Sequence, residues 1–353
     1  MATLFYKDKP MIGLDISQTG VKVMAIDPKK WLVLGYGSID LDPAKVQESL
    51  ESKNNYLAEN INALVKEKLI GELPSNHTVI GIPTARTFSR TFTVPTNAEK
   101  NLSDAIEVEV DQYIPIPMSS LYVDYDIIER TKDHLTVIMS AVPKVLVDSC
   151  MTAAKEAGLL PIVVEPGINA VARIVQTAEE GHLPTLIVDI GAASTDIAVF
   201  DSGIIRVSGG VGVGGNTFTL EIAKKLGVAL ENAHQLKVLN GLSPGPRQAK
   251  IVAALDPSLK RIASEIRKVI RYYTERLSLN EEYRIEQVLV VGGGSSVPGI
   301  GDYFTNELVM AARVASPWQR LDFGKLPQPN KQFRPRYITV AGLASVGQKE
   351  IWQ

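Results

Sequence analysis

Two segments half a chain apart repeat one pattern, and that repetition restricts the fold more than anything else in the sequence. The first is Ile12-Gly13-Leu14-Asp15-Ile16-Ser17-Gln18-Thr19-Gly20-Val21-Lys22-Val23; the second is Ile187-Val188-Asp189-Ile190-Gly191-Ala192-Ala193-Ser194-Thr195-Asp196-Ile197. In each, an apolar strand ends in Asp, passes a tight turn of small and hydroxyl residues, and re-enters a second strand. Asp15 and Asp189 stand 174 positions apart, so the chain reads as two related halves facing one another. Turns of Gly, Ser and Thr can bring backbone N–H groups up to phosphate oxygens without a Cβ in the way. A carboxylate at the strand end can hold the Mg²⁺ that accompanies those phosphates. Two such loops from opposite sides would pinch one nucleotide.

A third segment extends the pattern. Val288-Leu289-Val290-Val291 is an apolar strand running into Gly292-Gly293-Gly294-Ser295-Ser296, and Pro298 then suits the first turn of a helix, where a missing N–H costs little. Glycines there would let a flat base or ribose lie against bare backbone. In this order the three segments resemble the phosphate 1, phosphate 2 and adenosine motifs of the actin/Hsp70/FtsA superfamily of ATP-binding proteins. The resemblance implies an α/β chain with a duplicated, two-domain, actin/Hsp70-like (ribonuclease H-like) fold, and ATP with Mg²⁺ as its ligands.

Length and composition agree with two domains. A chain of 353 residues exceeds one small core, and 45% apolar with 22% charged residues is ordinary for a globular protein. A net charge of −2 gives no bulk attraction to nucleic acid. The lone Cys150 excludes an internal disulfide and suggests a reducing compartment. The start, Met1-Ala2-Thr3-Leu4-Phe5-Tyr6-Lys7, lacks the apolar stretch of a signal peptide, and the end, residues 347–353, lacks the pattern of an amphipathic anchor. No window reaches the ~20 apolar residues of a membrane span.

Along the chain, strands are expected at 10–16, 21–27, 32–39 and 78–82, with a helix over 56–69. An insert at about 84–157 changes texture: strand 87–94, a helix from Asn97 stopped by Pro115, strands 121–128 and 135–141, then helix 144–157. Strand 162–165 and helix 170–178 return to the first layout and complete a first half of residues 1–180. The second half, 181–353, has strands at 185–190, 196–200 and 204–208, helices at 217–226 and 231–239, a long helix from Pro257 to 279, strand 287–291 and helix 298–311. A proline-rich stretch (317–335) and a helix over 338–346 follow. Residues 216–284 would form a helical subdomain. Strand–helix alternation implies largely parallel sheets with helices outside.

The candidate site residues follow from these motifs. A strand-end Asp can simply cap its own turn, but the matched contexts point to Mg²⁺ and phosphate for both Asp15 and Asp189. Ser17, Gln18 and Thr19 would form one phosphate cradle; Gly191, Ala192, Ala193 and Ser194 the other. Lys22 could reach a β- or γ-phosphate or stand solvated on its strand. Glu165 ends a strand at the expected crossing between the halves, where it could polarise water as a general base or cap the helix after Pro166. Gly210-Val211-Gly212-Val213-Gly214-Gly215 matches G-x-G-x-x-G, yet three strands precede it where a dinucleotide fold would have one. Gly212, Gly214 and Gly215 more simply let phosphates approach the start of helix 217–226. Gly292, Gly293, Gly294 and Ser295 would take the adenosine. His77, His134, His182 and His234 have no zinc-ligand spacing, and Arg261, Arg267, Lys268 and Arg271 read as a solvated helix face.

The insert selects a branch. Ala105-Ile106-Glu107-Val108-Glu109-Val110-Asp111-Gln112-Tyr113-Ile114-Pro115-Ile116-Pro117, then Tyr122-Val123-Asp124-Tyr125-Asp126, then Ala141-Val142-Pro143-Lys144, resemble the PilM family of type IV pilus assembly proteins, relatives of FtsA. The resemblance covers almost the whole chain, with an FtsA-type subdomain in the first half. It implies a cytoplasmic ATP-binding scaffold at the inner membrane. Its partners would be the N-terminal cytoplasmic segment of PilN, taken near 84–92 and helix 101–113 in a groove between the first subdomain and the insert, and the assembly motor ATPase and platform proteins. The resemblance also gives Glu165 the place of a water-orienting residue. His234 stands where relatives commonly carry a Glu on the ribose hydroxyls, while Lys237 remains. Ser17-Gln18 replace smaller residues in the first loop. These departures predict weakened nucleotide affinity and weak or absent hydrolysis. A hydrolytic ATPase or small-molecule kinase on the same fold, or an FtsA-like division filament protein, are the alternatives.

Overall fold

The structure is a computed structural model that describes residues 10–52, 54–178, 183–276 and 285–347. The N-terminal segment, His182, the last turn expected of the long helix with Leu277, and the C-terminal residues 348–353 lie outside them. Among the described residues the strands form three sheets.

The first sheet has the order β4-β3-β2-β1-β5-β9. Its strands are β1 (Ile12–Ser17), β2 (Gly20–Asp27), β3 (Leu32–Asp40), β4 (Ile70–Gly71), β5 (His77–Ile82) and β9 (Leu160–Pro166). The second has the order β12-β11-β10-β13-β14, from β10 (Thr185–Ile190), β11 (Thr195–Asp201), β12 (Ile204–Val211), β13 (Gln287–Val291) and β14 (Ala312–Val314). The two are the same construction. β1 pairs antiparallel with β2 and parallel with β5, and β10 pairs antiparallel with β11 and parallel with β13. The duplication extends to single residues. Asp15 lies opposite Lys22 and Asp189 opposite Asp196. The bulge between Ala25 and Ile26 recurs between Val199 and Phe200, at the same offset of 174.

The central strands β1 and β5 are buried on both faces, which accounts for their near-continuous apolar sequences. Helices Tyr56–Glu67 and Lys144–Glu156 cover one face of the first sheet through Leu57, Ile61, Leu64, Leu146 and Cys150. The other face meets helices Gly167–Ala178 and Ile338–Ala344, which share a core with Ile187, Leu289 and Val291 of the second sheet. The last helix, expected in the second half, therefore packs on the first. A Cβ at Gly13 of β1 would collide with its Val340 carbonyl, and one at Gly342 with the Ala170 carbonyl of the neighbouring helix.

Two helices depart from expectation. Pro43–Ser52 forms a helix, begun by Asp42, whose Oδ1 accepts from the Ala44 N–H at 2.8 Å. The long helix runs over Gln248–Arg276 with Pro257 inside it. Ile251, Ala254 and Leu255 before the proline continue the buried stripe of Leu259, Ile262 and Ile266 after it, and that burial outweighs the hydrogen bond a proline cannot make. Pro298 does not open a helix: its carbonyl accepts from Leu242 N–H, and Gly299, in the left-handed region, precedes helix Ile300–Leu308.

The insert is the third sheet: β6 (Phe88–Pro95), β7 (Leu121–Arg130) and β8 (His134–Pro143) in the order β6-β8-β7, covered by helix Leu102–Tyr113. Its edge strand β6 lies along β12, the edge of the second sheet. The Thr91 hydroxyl donates to the Arg206 carbonyl at 2.5 Å, and the Tyr272 hydroxyl donates to the Thr91 carbonyl at 2.9 Å. The insert thus grows from one half and rests on the other.

Candidate functional site

A cleft of about 610 Å³ opens between the halves, within the ~300–1,000 Å³ usual for small-molecule sites. Both duplicated turns reach it. Asp15, Ser17, Gln18, Thr19 and Lys22 line it from the first, and Asp189, Gly191, Ala192, Ala193 and Ser194 from the second. Gly292, Gly293 and Gly294 form its far wall, and Gly215 and Lys237 enter from the helical subdomain.

The floor is electrostatically asymmetric despite the duplication. In the first half Lys22 Nζ donates to Asp15 Oδ2 at 2.8 Å, so the strand-end carboxylate is neutralised by its cross-strand neighbour. In the second half the residue at the Lys22 position is Asp196. Burial, with Asp196 and Asp15 adding repulsion, pushes the Asp189 carboxyl up to about 7. Burial also pushes Asp196 up to about 6, against hydrogen bonds from the side chain and backbone of Thr84, which favour its charged form. Asp196 Oδ1 is buried without a hydrogen-bond partner. Two crowded carboxylates with an orphaned oxygen fit a hard divalent cation, and Mg²⁺ commonly takes only one or two carboxylates alongside water and phosphate oxygens. Asp189 stands opposite Asp196 across the strands, whereas Asp15 is paired with Lys22.

Gly292 shows how the third motif serves the second. Its φ of 82° is left-handed, and a Cβ there would strike Asp189 Oδ1. The glycine lets the β13 turn close over the carboxylate.

Other expected residues fall elsewhere. Glu165 does not line the cleft: its two carboxylate oxygens accept from Arg173 at 3.0 and 2.9 Å, and Arg173 Nη1 also donates to the Gly342 carbonyl at 2.8 Å. Glu165 therefore fixes an arginine on the end of the last helix. Glu165→Gln is expected to cost about 1–2 kcal/mol of stability and to leave ligand affinity in the cleft unchanged, which chemical denaturation and titration of one sample would read. Gly212 and Gly214 lie outside the cleft; Gly214 is a packing glycine, whose Cβ would meet the Ala192 carbonyl. The start of helix Gly215–Leu226 is not open to phosphate at its first two N–H groups, because Gly215 and Asn216 donate to the carbonyls of Gly191 and Ala192, each at 2.9 Å. Ser295 is buried, its hydroxyl donating to the Gly292 carbonyl at 2.7 Å; Ser296 takes its place at the wall.

Lys237 is buried, and its Nζ donates to the Gly215 carbonyl at 2.8 Å and to Thr219 Oγ1 at 2.9 Å. Burial and the nearby Arg336 push its amine down to about 8. Asp196 and Arg336 were not singled out from the sequence. The signal for Asp196 was available in its offset from Lys22; Arg336 sits in a proline-rich stretch without a periodic pattern.

The sequence profile of the family described as type IV pilus assembly protein PilM matches residues 13–347. The cell division protein FtsA of Neisseria meningitidis serogroup B is 25% identical over 261 residues, 67% of this chain and 58% of that protein. The chain thus spans little more than half the length of that relative. A solved PilM-PilN type IV pilus biogenesis complex contains a chain with a TM-score of 0.77 and 22% identity, covering 95% of this chain and 97% of that one. MreB5 of Spiroplasma citri bound to ADP gives 0.51 and 15%, covering 98% of each chain. These likenesses establish the actin-like fold.

Proposed function

This chain belongs to the PilM family of type IV pilus assembly proteins, and from that premise we propose that it is an Mg²⁺–nucleotide-binding scaffold of the pilus inner-membrane assembly complex. The observation that carries the reading is the duplicated turn: two loops in the same register face one cleft, with a crowded carboxylate pair on one side and Lys22 on the other. When bound, Mg²⁺ would offset the charge of Asp189 and Asp196 and of nucleotide phosphates. Lys22 supplies a fixed cation, and Gly292, Gly293 and Gly294 would line the adenosine side of the cleft. ATP is the ligand; Ser17, Gln18, Thr19, Gly191, Ala192 and Ser194 contact its phosphates, and Asp15 holds Lys22 toward them. Among the described residues Asp15, outside the metal pair, is engaged by Lys22, and Glu165 is held by Arg173, so this reading assigns neither to the activation of water. The chain binds nucleotide and turns it over weakly or not at all.

The partner is the N-terminal cytoplasmic segment of a PilN protein, which holds the chain at the cytoplasmic face of the inner membrane and, through it, by the assembly motor and platform proteins. No described helix is long and apolar enough to cross a membrane. A second cavity, about 400 Å³, supports a peptide site near residues 84–92: Thr87, Phe88, Arg90, Tyr113 and Ile114 of the insert line it. Its opposite wall is Val207, Val269 and Tyr272 of the second half, rather than the first subdomain. Isothermal titration with Mg-ATP and with such a peptide tests both parts. Saturable ATP binding, lost in Asp15→Ala and Asp189→Ala, with peptide binding retained, is the expected result. Failure of the protein to bind either ligand would remove the scaffold reading.

A further inference from the structure

Between β14 and the last helix the chain leaves the second half and runs along β3 of the first. At the near end the Val33 N–H donates to the Asp322 carbonyl at 2.7 Å, and the Asp322 N–H donates to the Trp31 carbonyl at 2.9 Å. At the far end the Tyr337 hydroxyl donates to Ser38 Oγ at 3.0 Å. Tyr36 holds the middle. It is buried, and its hydroxyl donates to the Pro327 carbonyl at 2.5 Å. Its ring meets Phe323 and Tyr337 edge to face, with centroids 5.4 and 5.5 Å away. Gln328, Asn330, Gln332, Phe333 and Arg336, from the span between these holds, line the cleft. Residues 322–337 thus form a strap, tied along β3 and presenting its inner edge to the nucleotide site.

Arg336 reaches from this strap to the other half. Its stem lies in front of the glycine wall: a Cβ at Gly293 would stand 3.2 Å from its Cγ and 3.9 Å from its Nε. Its guanidinium sits over the Phe333 ring, 5.1 Å from the centroid, and its Nη1 lies 4.0 Å from Asp40 Oδ1. Asp40 pairs in register with Gly20, beside the first turn. A bare glycine wall serves a ligand only if the space before it is empty, and here an arginine fills part of that space. Its ties are weak ones. Arg336, Phe333 and Asp40 are all exposed, and an exposed ion pair or cation–π contact shifts an equilibrium only about a few-fold. We propose that Arg336 is an autoinhibitory latch, held over the adenosine side of the cleft by the strap in the free protein and displaced when nucleotide enters. The proposal rests on the reading of this cleft as a nucleotide site. Only the fraction of molecules with the latch withdrawn is competent to bind, so the latch weakens apparent affinity and slows association by the same factor. The buried Tyr36 hold sets how readily the strap lets the arginine go.

The test is stopped-flow titration of the full chain, with Mg²⁺, against a fluorescent N-methylanthraniloyl ATP, which reads association and dissociation rates separately. Arg336→Ala is expected to speed association by at least about threefold and to leave dissociation within about twofold, so that affinity tightens. Tyr36→Phe, which keeps every charge, is expected to speed association by about twofold or more. The sign discriminates, because loss of a cation near phosphates otherwise weakens binding. Weaker binding of Arg336→Ala through faster dissociation would make Arg336 a grip on the ligand and overturns the latch. Unchanged association in that variant also overturns it and leaves the nucleotide cleft standing. No gain in Tyr36→Phe overturns the part given to the strap. If neither the parent nor the variants bind, the nucleotide reading falls, and the latch with it.

Discussion

Asp189→Asn is expected to stabilise the free protein at pH 8 and to abolish its Mg²⁺-dependent affinity for nucleotide. The Asp189 carboxyl is pushed from its ordinary 3.8 up to about 7 by burial and by Asp196 and Asp15. Between those values the folded state binds more protons than the unfolded state. Stability therefore falls as pH rises through that window, and the deficit is fully present above it. An amide of the same shape carries no charge to desolvate, so the variant should gain on the order of 1–3 kcal/mol at pH 8 and nothing near pH 3. The same change removes half of the carboxylate pair proposed for Mg²⁺, and a loss of at least about a hundredfold in affinity is expected. Urea denaturation at the two pH values, beside a titration with Mg-ATP, measures both effects. A variant less stable than the parent at pH 8 would mean that Asp189 is satisfied within the free protein, and the cation site would lose its argument.

Gly342→Ala is expected to cost at least about 3 kcal/mol, the upper range for forcing a methyl group into a filled space. Helix propensity alone favours alanine by about 1 kcal/mol, so the expected sign runs against it. The reason is contact: the added Cβ would collide with the Ala170 carbonyl oxygen, and backbone on that side cannot turn away as a side chain can. The helix cannot retreat either. Gly13 on its sheet side already admits the Val340 carbonyl only because it has no Cβ, and Arg173, fixed by Glu165, holds the Gly342 carbonyl. Gly212→Ala is the control, with nothing within 4 Å of the added carbon, and should stay within about 0.5 kcal/mol of the parent. Denaturation midpoints that coincide for the two variants would show that the last helix can shift.

The parts of the site legible in the sequence were those written locally. A strand ending in Asp followed by a turn and a second strand fits within a dozen residues, so Asp15 and Asp189 stood out, and their repetition announced the two halves. What escaped depended on distance. Glu165 read as a candidate base because its partners lie 8 and, through Arg173, 169 residues away from it and its arginine. Asp196 read as an ordinary strand residue until cross-strand register set it opposite Asp189. In the fold, Pro257 misled because a local rule about helix starts yields to an apolar stripe that continues on both sides of it. Helix Pro43–Ser52 was missed because only Val46, Ser49 and Leu50 of its residues are buried.

Thr84 lies on the chain between the two cavities, after Pro83 of the first and before Thr87 of the second. It is the residue at which the insert leaves the first half, and it favours the charged form of the Asp196 carboxyl at the base of the cleft. A cation held by the Asp196 carboxylate, as proposed, would act on the charge that Thr84 also stabilises, and a ligand that tightens the joint of β6 with β12 would pull on the same chain from its other end. Energetic coupling of this kind is reciprocal: whatever factor nucleotide applies to partner affinity, the partner must return to nucleotide affinity. If the proposed scaffold binds nucleotide without turnover, it can then still report occupancy, a bound partner serving as the readout and the cleft as the gauge.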